Sequence, residues 1–195
     1  MKVLAIIASP KPKSFSHAIL ESFTKGLKEA GNTFDALDLR EIEFDPVMRL
    51  EDVAQFKGAR MPEDILAQQE KVSQADALAF FSPIYWGNLP AILVGWFQRV
   101  LSLGFAYRPP SPGEMGPQGL LPQKKAIIFN TAMAMGKLYK DTGLEDAIKK
   151  IFDEYMLKSC GIQNVEHIFF YGVPLVSDKV RKGYLEEAYK LGKEF

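Results

Sequence analysis

The chain has 195 residues, 47% of them hydrophobic, and 24 Lys+Arg balance 24 Asp+Glu to a formal net charge of zero. That length suits one domain spanning 1–195 with a sizeable core, and the balanced charge argues against a dedicated nucleic-acid binder, which would carry a basic excess. A single cysteine, Cys160, excludes an intramolecular disulfide and speaks against Cys-ligated zinc or iron–sulfur sites. No apolar run reaches the length of a membrane span and none at the start has a secretory pattern, so no membrane insertion and a cytoplasmic location are expected.

In chain order, residues 3–8 (VLAIIA) predict a first strand buried on both faces. The turn after it, residues 8–16, reads ASPKPKSFS and has no glycine, so neither GxGxxG nor GxxxxGK[ST] is present. It offers Ser9, Ser14, Ser16, Lys11 and Lys13 just before a helix, where unpaired N–H groups and the helix dipole favour a phosphate. The plain alternative is that Ser16 only caps the helix while the lysines are solvated. Leu20, Phe23, Leu27 and Ala30 recur at helical spacing, with Phe15 and Leu20 placed as a hydrophobic staple. Residues 33–39 (TFDALDL) fit an edge strand, and residues 40–62 show no sustained period and should wander over the surface.

Residues 77–82 (ALAFFS) predict the third strand. It delivers residues 82–90 (SPIYWGNLP), whose two aromatics, glycine and proline can pack beside a flat ring or simply join the core. The helix over residues 90–103 (PAILVGWFQRVLSL) is apolar on more than one side. Trp96, Phe97 and Val100 are then excess apolar surface, which a homodimer would bury. Residues 104–122 hold five prolines and four glycines and read as a long loop. Its Phe105 and Tyr107 could reach a partner's site, or the loop could fold back over its own helix. A fourth strand, residues 126–131 (AIIFNT), leads into Ala132-Met133-Ala134-Met135. Thr142 and Glu145 read as a capping box before Leu144, Ile148, Ile151 and Tyr155, with Gly161 ending the helix and Cys160 as buried filler. Residues 167–172 (HIFFYG) predict a fifth buried strand. Ser177 then caps a last helix with the stripe Val180, Tyr184, Ala188, Leu191 and Phe195.

Strand–helix alternation of this kind implies an α/β fold: a parallel sheet covered by helices on both faces. In the order 2-1-3-4-5, the loops after strands one, three and four meet at one sheet edge, where such folds bind ligands.

Residues 81–100 (FSPIYWGNLPAILVGWFQRV), followed by 104–107 (GFAY), closely resemble the NAD(P)H:quinone reductase (DT-diaphorase) family. Residues 14–16 (SFS), 44–46 (FDP) and 64–69 (DILAQQ) also agree; the resemblance is strong over 3–110 and loose over 124–195. It implies a flavodoxin-like fold, a homodimer, and one FMN or FAD per subunit. Ser14, Phe15 and Ser16 would hold the phosphate-bearing tail, with Ser9 nearby. Pro83, Ile84, Tyr85, Trp86 and Gly87 would line the ring, and Thr131, Asn130 and Ala132 would meet its pyrimidine end. The implied reaction is ping-pong hydride transfer from NAD(P)H to a quinone-type acceptor. The alternative is a regulatory flavoprotein subunit of a membrane transport system with little turnover of its own, and a third reading is an inert module with a closed site. Departures from the family are Tyr85 in place of glutamine and Ala132-Met133 in place of two glycines, so that Met133 and Met135 could crowd the ring or form a lid. Tyr139 lies near the family's relay tyrosine, but its histidine has no counterpart. His17 reads as a solvated first-turn residue and His167 as structural, so no catalytic side chain and no metal ligand is named.

Overall fold

The computed structural model describes residues 1–54 and 58–195. Of the aperiodic stretch 40–62, residues 55–57 therefore lie outside the described residues. Strand β1 (Lys2–Ile7), helix α1 (Phe15–Glu29) and strand β2 (Thr33–Asp38) come first, followed by α2 (Leu50–Ala54), α3 (Glu63–Ser73) and β3 (Ala77–Pro83). After α4 (Ala91–Val100), β4 (Tyr107–Arg108) and β5 (Gln118–Gly119) form a two-residue antiparallel ladder inside the long loop. Strand β6 (Lys125–Thr131), α5 (Gly136–Asp141), α6 (Leu144–Lys149), a π-helical turn (Lys150–Leu157), β7 (Asn164–Phe170) and α7 (Asp178–Glu194) complete the chain.

Five parallel strands make one sheet in the order β2-β1-β3-β6-β7, which is the expected 2-1-3-4-5 arrangement. Side chains alternate between its faces, as strand geometry requires. Leu4, Ile6, Leu78, Phe80 and Ile128 pack with Leu93, Trp96 and Phe97 of α4 on one face. Val3, Ala5, Ile7, Phe81, Ile127 and Phe129 pack with Ile19, Phe23 and Leu27 of α1 and Ala188 of α7 on the other. Two glycines let α1 and α7 cross closely. A Cβ on Gly26 would lie 2.2 Å from the Tyr189 carbonyl, and one on Gly192 2.0 Å from that of Phe23.

Helix α4 is covered on more than its sheet side. Trp96, Phe97 and Val100, expected to leave an apolar face for a partner, are 0%, 3% and 0% exposed within this one chain. The covering comes from the stretch without periodicity. Pro46 lies so close that a Cβ on Gly95 would be 2.2 Å from its carbonyl oxygen. Arg99, also buried, donates through Nε and Nη2 to the Asp52 carboxylate at 2.9 and 3.0 Å and through Nη1 to the Asp45 carbonyl at 2.8 Å. From α3, Gln69 donates to the Val100 carbonyl at 3.0 Å. The long loop folds back at its base, where the Leu121 amide donates to the Cys160 carbonyl at 2.9 Å.

Four local expectations are corrected. Ser14, not Ser16, is the N-cap of α1, because Ser16 turns inward and is buried. Thr142 opens no helix: it ends α5, donating its hydroxyl to the Leu138 carbonyl at 2.6 Å, and α6 starts after Gly143 in the left-handed region (φ 68°). The π-helical turn then shifts the inward face from Ile148 to Phe152 and Leu157, which are buried, and leaves Ile151 and Tyr155 exposed. Lastly, β7 begins three residues earlier than expected and is an edge strand with exposed Asn164 and Glu166, rather than a strand buried on both faces.

Candidate active site

Strand register sets the geometry of the carboxyl edge. Pro83 of β3 sits opposite Thr131 of β6, and Thr131 opposite Phe170 of β7, so the loops after these strands leave from one level. The Ile84 amide then donates to the Thr131 carbonyl at 2.8 Å and the Ala132 amide to the Phe170 carbonyl at 2.9 Å. Between these loops and the N-terminus of α1 lies a cavity of about 940 Å³, within the range of ~300–1,000 Å³ typical of small-molecule sites.

One end of the cavity is polar. Ser9, Lys11, Ser14, Phe15 and Ser16 line it, and the first amides of α1, on Phe15 and Ser16, have no partner among the described residues. Those amides and the helix dipole make the place attractive to an anion. The Ser9 hydroxyl turns back to the Lys11 carbonyl at 3.3 Å. Ser16 Oγ lies 3.2 Å from Thr131 Oγ1, tying the first loop to the fourth-strand loop.

The other end has largely apolar walls made by Pro83, Ile84, Tyr85, Trp86 and Gly87 on one side and Thr131, Ala132, Met133 and Ala134 on the other. Tyr85 and Asn88 exchange backbone hydrogen bonds of 2.9 and 3.0 Å around Trp86 (φ 50°) and Gly87 (φ 73°). Two central residues at positive φ mark a type I′ turn, which Gly87 enters freely and Trp86 only at a cost. The turn pushes both aromatics out of the core: Tyr85 is 48% exposed and the Trp86 indole fully so. A Cβ on Gly87 would meet the Leu144 side chain at 3.0 Å.

Eleven of the twelve residues singled out from the sequence line this one cavity. Asn130 is the exception and needs correction. Its side chain, wholly buried, donates to Ser82 Oγ at 3.0 Å and accepts from His167 Nε2 at 2.7 Å, on the far side of the sheet from Ser16. It therefore buttresses Thr131 from behind. His167 reaches Asp153 at 2.8 Å through its other ring nitrogen, an internal structural bridge. His17 is not solvated: it links Ser14 to Asp38.

Lys11, offered by the first turn in the sequence, lines the cavity as well; the residues missed by the sequence reading are Leu138, Leu144, Val173 and Pro174. The last two follow β7, so the fifth strand's loop also closes the site; Gly172 at φ 63° ahead of a proline was the available signal. Tyr139 lines the cavity too, buried, with burial raising its phenol above the ordinary value. Behind it, at a ring separation of 5.1 Å, Tyr171 donates to Glu145, and burial together with that carboxylate pushes its phenol far up. Met133 stands at the mouth, 71% exposed, whereas the Met135 sulfur packs over Gly172. Cys160 is buried elsewhere, and burial pushes its thiol up to about 11.

Residues 1–192 match the family model described as a flavodoxin-like fold. An uncharacterised NAD(P)H oxidoreductase of Haemophilus influenzae is 33% identical over 96% of this chain and 92% of its own length. NAD(P)H dehydrogenase [quinone] 1 of Rattus norvegicus is 29% identical over 95% of this chain and 74% of its own. Among solved structures, the NAD(P)H:quinone oxidoreductase from Methanothermobacter marburgensis superposes with a TM-score of 0.90 at 31% identity, covering 99% of this chain and 98% of that one. With its sheet order, its site at the carboxyl edge and these relatives, the chain belongs to the flavodoxin-like fold family, beside NAD(P)H:quinone oxidoreductases.

Proposed function

We propose that this chain is a flavin-dependent NAD(P)H oxidoreductase that moves hydride from NAD(P)H to a quinone-type acceptor in two half-reactions. The observation that carries this reading is the union of two unlike ends in one cavity. Hydroxyls and amides at the start of α1 line a polar end, and an apolar slot between residues 83–87 and 131–134 forms the other. Those donors and walls fit a flavin nucleotide, and the relatives named above support the choice of reaction.

A flavin supplies the hydride chemistry once bound. The residues of the chain hold and orient it. The amides of Phe15 and Ser16 and the hydroxyl of Ser16 would grip the phosphate, with Lys11 neutralising its charge. Backbone groups of 84–87 and 131–132 would address the ring's polar edge. Trp86 and Met133, both exposed beside the slot, would border the space for nicotinamide and acceptor. FMN suffices for the groups seen here. FMN, with one phosphate and one ring, matches the two ends of the cavity, so FMN is the form proposed rather than FAD.

The homodimer also belongs to this reading, on a different surface from the one expected. Ile151 and Tyr155, exposed by the π-helical turn, border an apolar groove of about 520 Å³ that Met48, Val94 and Phe97 continue. A second copy would cover them.

The test is direct. Protein purified after reconstitution with FMN should bleach under NAD(P)H and recolour with a soluble quinone, at a mass of two 21.9 kDa chains in light scattering. Bound flavin with no reduction by either nicotinamide overturns the enzyme reading. A 21.9 kDa species that is active overturns the dimer.

A further inference from the structure

His17 closes a chain of three side chains behind the phosphate end of the cavity. Ser14 Oγ is 2.9 Å from His17 Nδ1, and His17 Nε2 is 3.1 Å from Asp38 Oδ2. The Ser14 amide also donates to Nδ1, at 3.3 Å. Asp38 is tied down in turn, accepting from the amides of Arg40 at 2.9 Å and Glu41 at 3.3 Å. Ser14 is the N-cap of α1 and lines the cavity; His17 sits behind it, little exposed.

Counting protons along this chain has a consequence. A carboxylate only accepts, so Asp38 requires a proton on Nε2. In the neutral ring the single Nδ1 lone pair is shared by the Ser14 amide and hydroxyl, and a hydroxyl proton turned to the ring is not offered to a bound anion. When His17 is protonated, Nδ1 gives up the Ser14 amide and becomes a donor to Ser14 Oγ, and the hydroxyl proton is free to point into the cavity. The imidazolium also stays paired with Asp38 while facing the anion across one hydroxyl.

We propose that His17 is a proton-linked positioning residue for the flavin phosphate: phosphate binding takes up a proton at His17, which turns the Ser14 hydroxyl from the ring towards the phosphate. This rests on the flavin reading above. Binding then raises the affinity of His17 for its proton, so flavin affinity is greatest at low pH. It falls as pH rises from the value of the free protein through that of the complex.

Other ionisable groups on the surrounding elements do not produce this trend. The charged groups around His17 are Lys11 and Lys13 of the first loop, Arg40 beyond β2, Asp38, Glu41 and, one turn along α1, Glu21, residue types whose ordinary titration lies outside pH 6.5 to 8.5. Among the described residues no hydrogen bond or ion pair joins His17 to α7, and β3 carries no ionisable side chain. Lys125 of β6 and the Met1 amine lie at the opposite edge of the sheet. The FMN phosphate itself, with a second pKa of about 6, gains charge as pH rises and would strengthen binding, the opposite sign.

The experiment measures the dissociation constants of FMN and of riboflavin, which lacks the phosphate, by flavin fluorescence quenching on the full chain from pH 6.5 to 8.5. The expected result is FMN affinity falling roughly tenfold across that range, the weight of about one charge-assisted hydrogen bond. Riboflavin affinity should stay flat, and His17→Gln should bind FMN without the slope. A flat FMN profile in the unaltered protein, with FMN binding tighter than riboflavin, overturns the proton link and leaves the flavin reading standing. Failure to bind either flavin overturns both. Should His17→Gln not fold, the ring is followed by NMR in the unaltered protein, where His17 and His167 are the only histidines. One histidine must titrate about one unit higher with FMN bound, and an unchanged midpoint overturns the proposal.

Discussion

Removing the Asp52 carboxylate should cost this fold far more than removing Asp64, although both touch Arg99. The Asp52 side chain is 1% exposed and receives two guanidinium bonds, while Asp64 is 54% exposed and lies 3.1 Å from Nη1. Burial opposes the charge on Arg99, yet the two carboxylates hold its proton affinity above the ordinary value. At 2.9 Å and an effective dielectric constant of about 20, the Arg99–Asp52 attraction is about 6 kcal/mol before desolvation. Asp52→Ala leaves a buried cation with the Asp45 carbonyl and Asp64 as its remaining partners, so the loss should fall at the low end of the ~3–5 kcal/mol usual for a broken buried pair. Asp64→Ala should cost under about 1 kcal/mol, as exposed pairs do. For a chain this size each kcal/mol moves the melting temperature by about 2–4 °C, so circular dichroism of the flavin-free protein should show a fall of roughly 6–12 °C against less than about 4 °C. The paired change Asp52→Leu, Arg99→Met should recover most of the loss, because it leaves no orphaned charge. Equal shifts for the two alanine variants would refute the reasoning and reassign the hold on residues 45–52 to Pro46 packing alone.

Ser14→Ala with Ser16→Ala should weaken FMN binding at least roughly tenfold, about 1.4 kcal/mol, and the flavin-free melting temperature should fall mainly with Ser16→Ala, which breaks the buried contact to Thr131; unchanged FMN affinity would reduce both hydroxyls to structural roles. Met133→Gly should raise turnover with bulky quinones more than with small ones, while Met135→Gly should not, since only Met133 lines the cavity; steady-state kinetics on two acceptor sizes decides it. Burial works against the charge on Glu145, but Lys149 and Tyr171 hold its carboxyl below the ordinary value. The stability it contributes is present above its unfolded value of about 4.3 and fades as pH falls through the folded one. Glu145→Gln should therefore melt earlier at pH 7, with the gap to the unaltered protein narrowing below about pH 4; a constant gap would show that the charge is not involved.

The sheet was legible because it rests on burial, which leaves a period. The runs 3–8, 77–82 and 126–131 are continuous apolar stretches because helices cover both their faces, and strand–helix alternation leaves few topologies open. The stretch 40–62 was illegible for the same reason reversed. It is held on α4 by a buried ion pair, a carbonyl acceptor and a proline against a glycine, contacts that reach across 47 or more residues and obey no repeat. With its cover unseen, α4 looked like an orphaned apolar face. The π-helical turn misled in a related way: a stripe read at 3.6 residues per turn puts Ile151 and Tyr155 inside, and widening the helix turns them out.

At the site, topology brought the right loops together, but side-chain direction needed a further step. Part of that step was open to sequence reasoning. Alternation along β6 sends Ile127, Phe129 and Thr131 towards α1, and the same parity sends Asn130 with Ile128 to the opposite face. A strand-end pair such as Asn-Thr therefore cannot supply two adjacent side chains to one cavity while both remain in the strand. The rest depended on hydrogen bonds between loops. Ser16 meets Thr131 across 115 residues, and His17 meets Asp38 across 21. Those two contacts fix which serine faces inward and hold His17 beside the serine that caps α1. The chemistry of the cavity's polar end is thus set by partners on β2, next to β1 in the sheet, and on β6, two strands away, and not by the residues of the first loop alone.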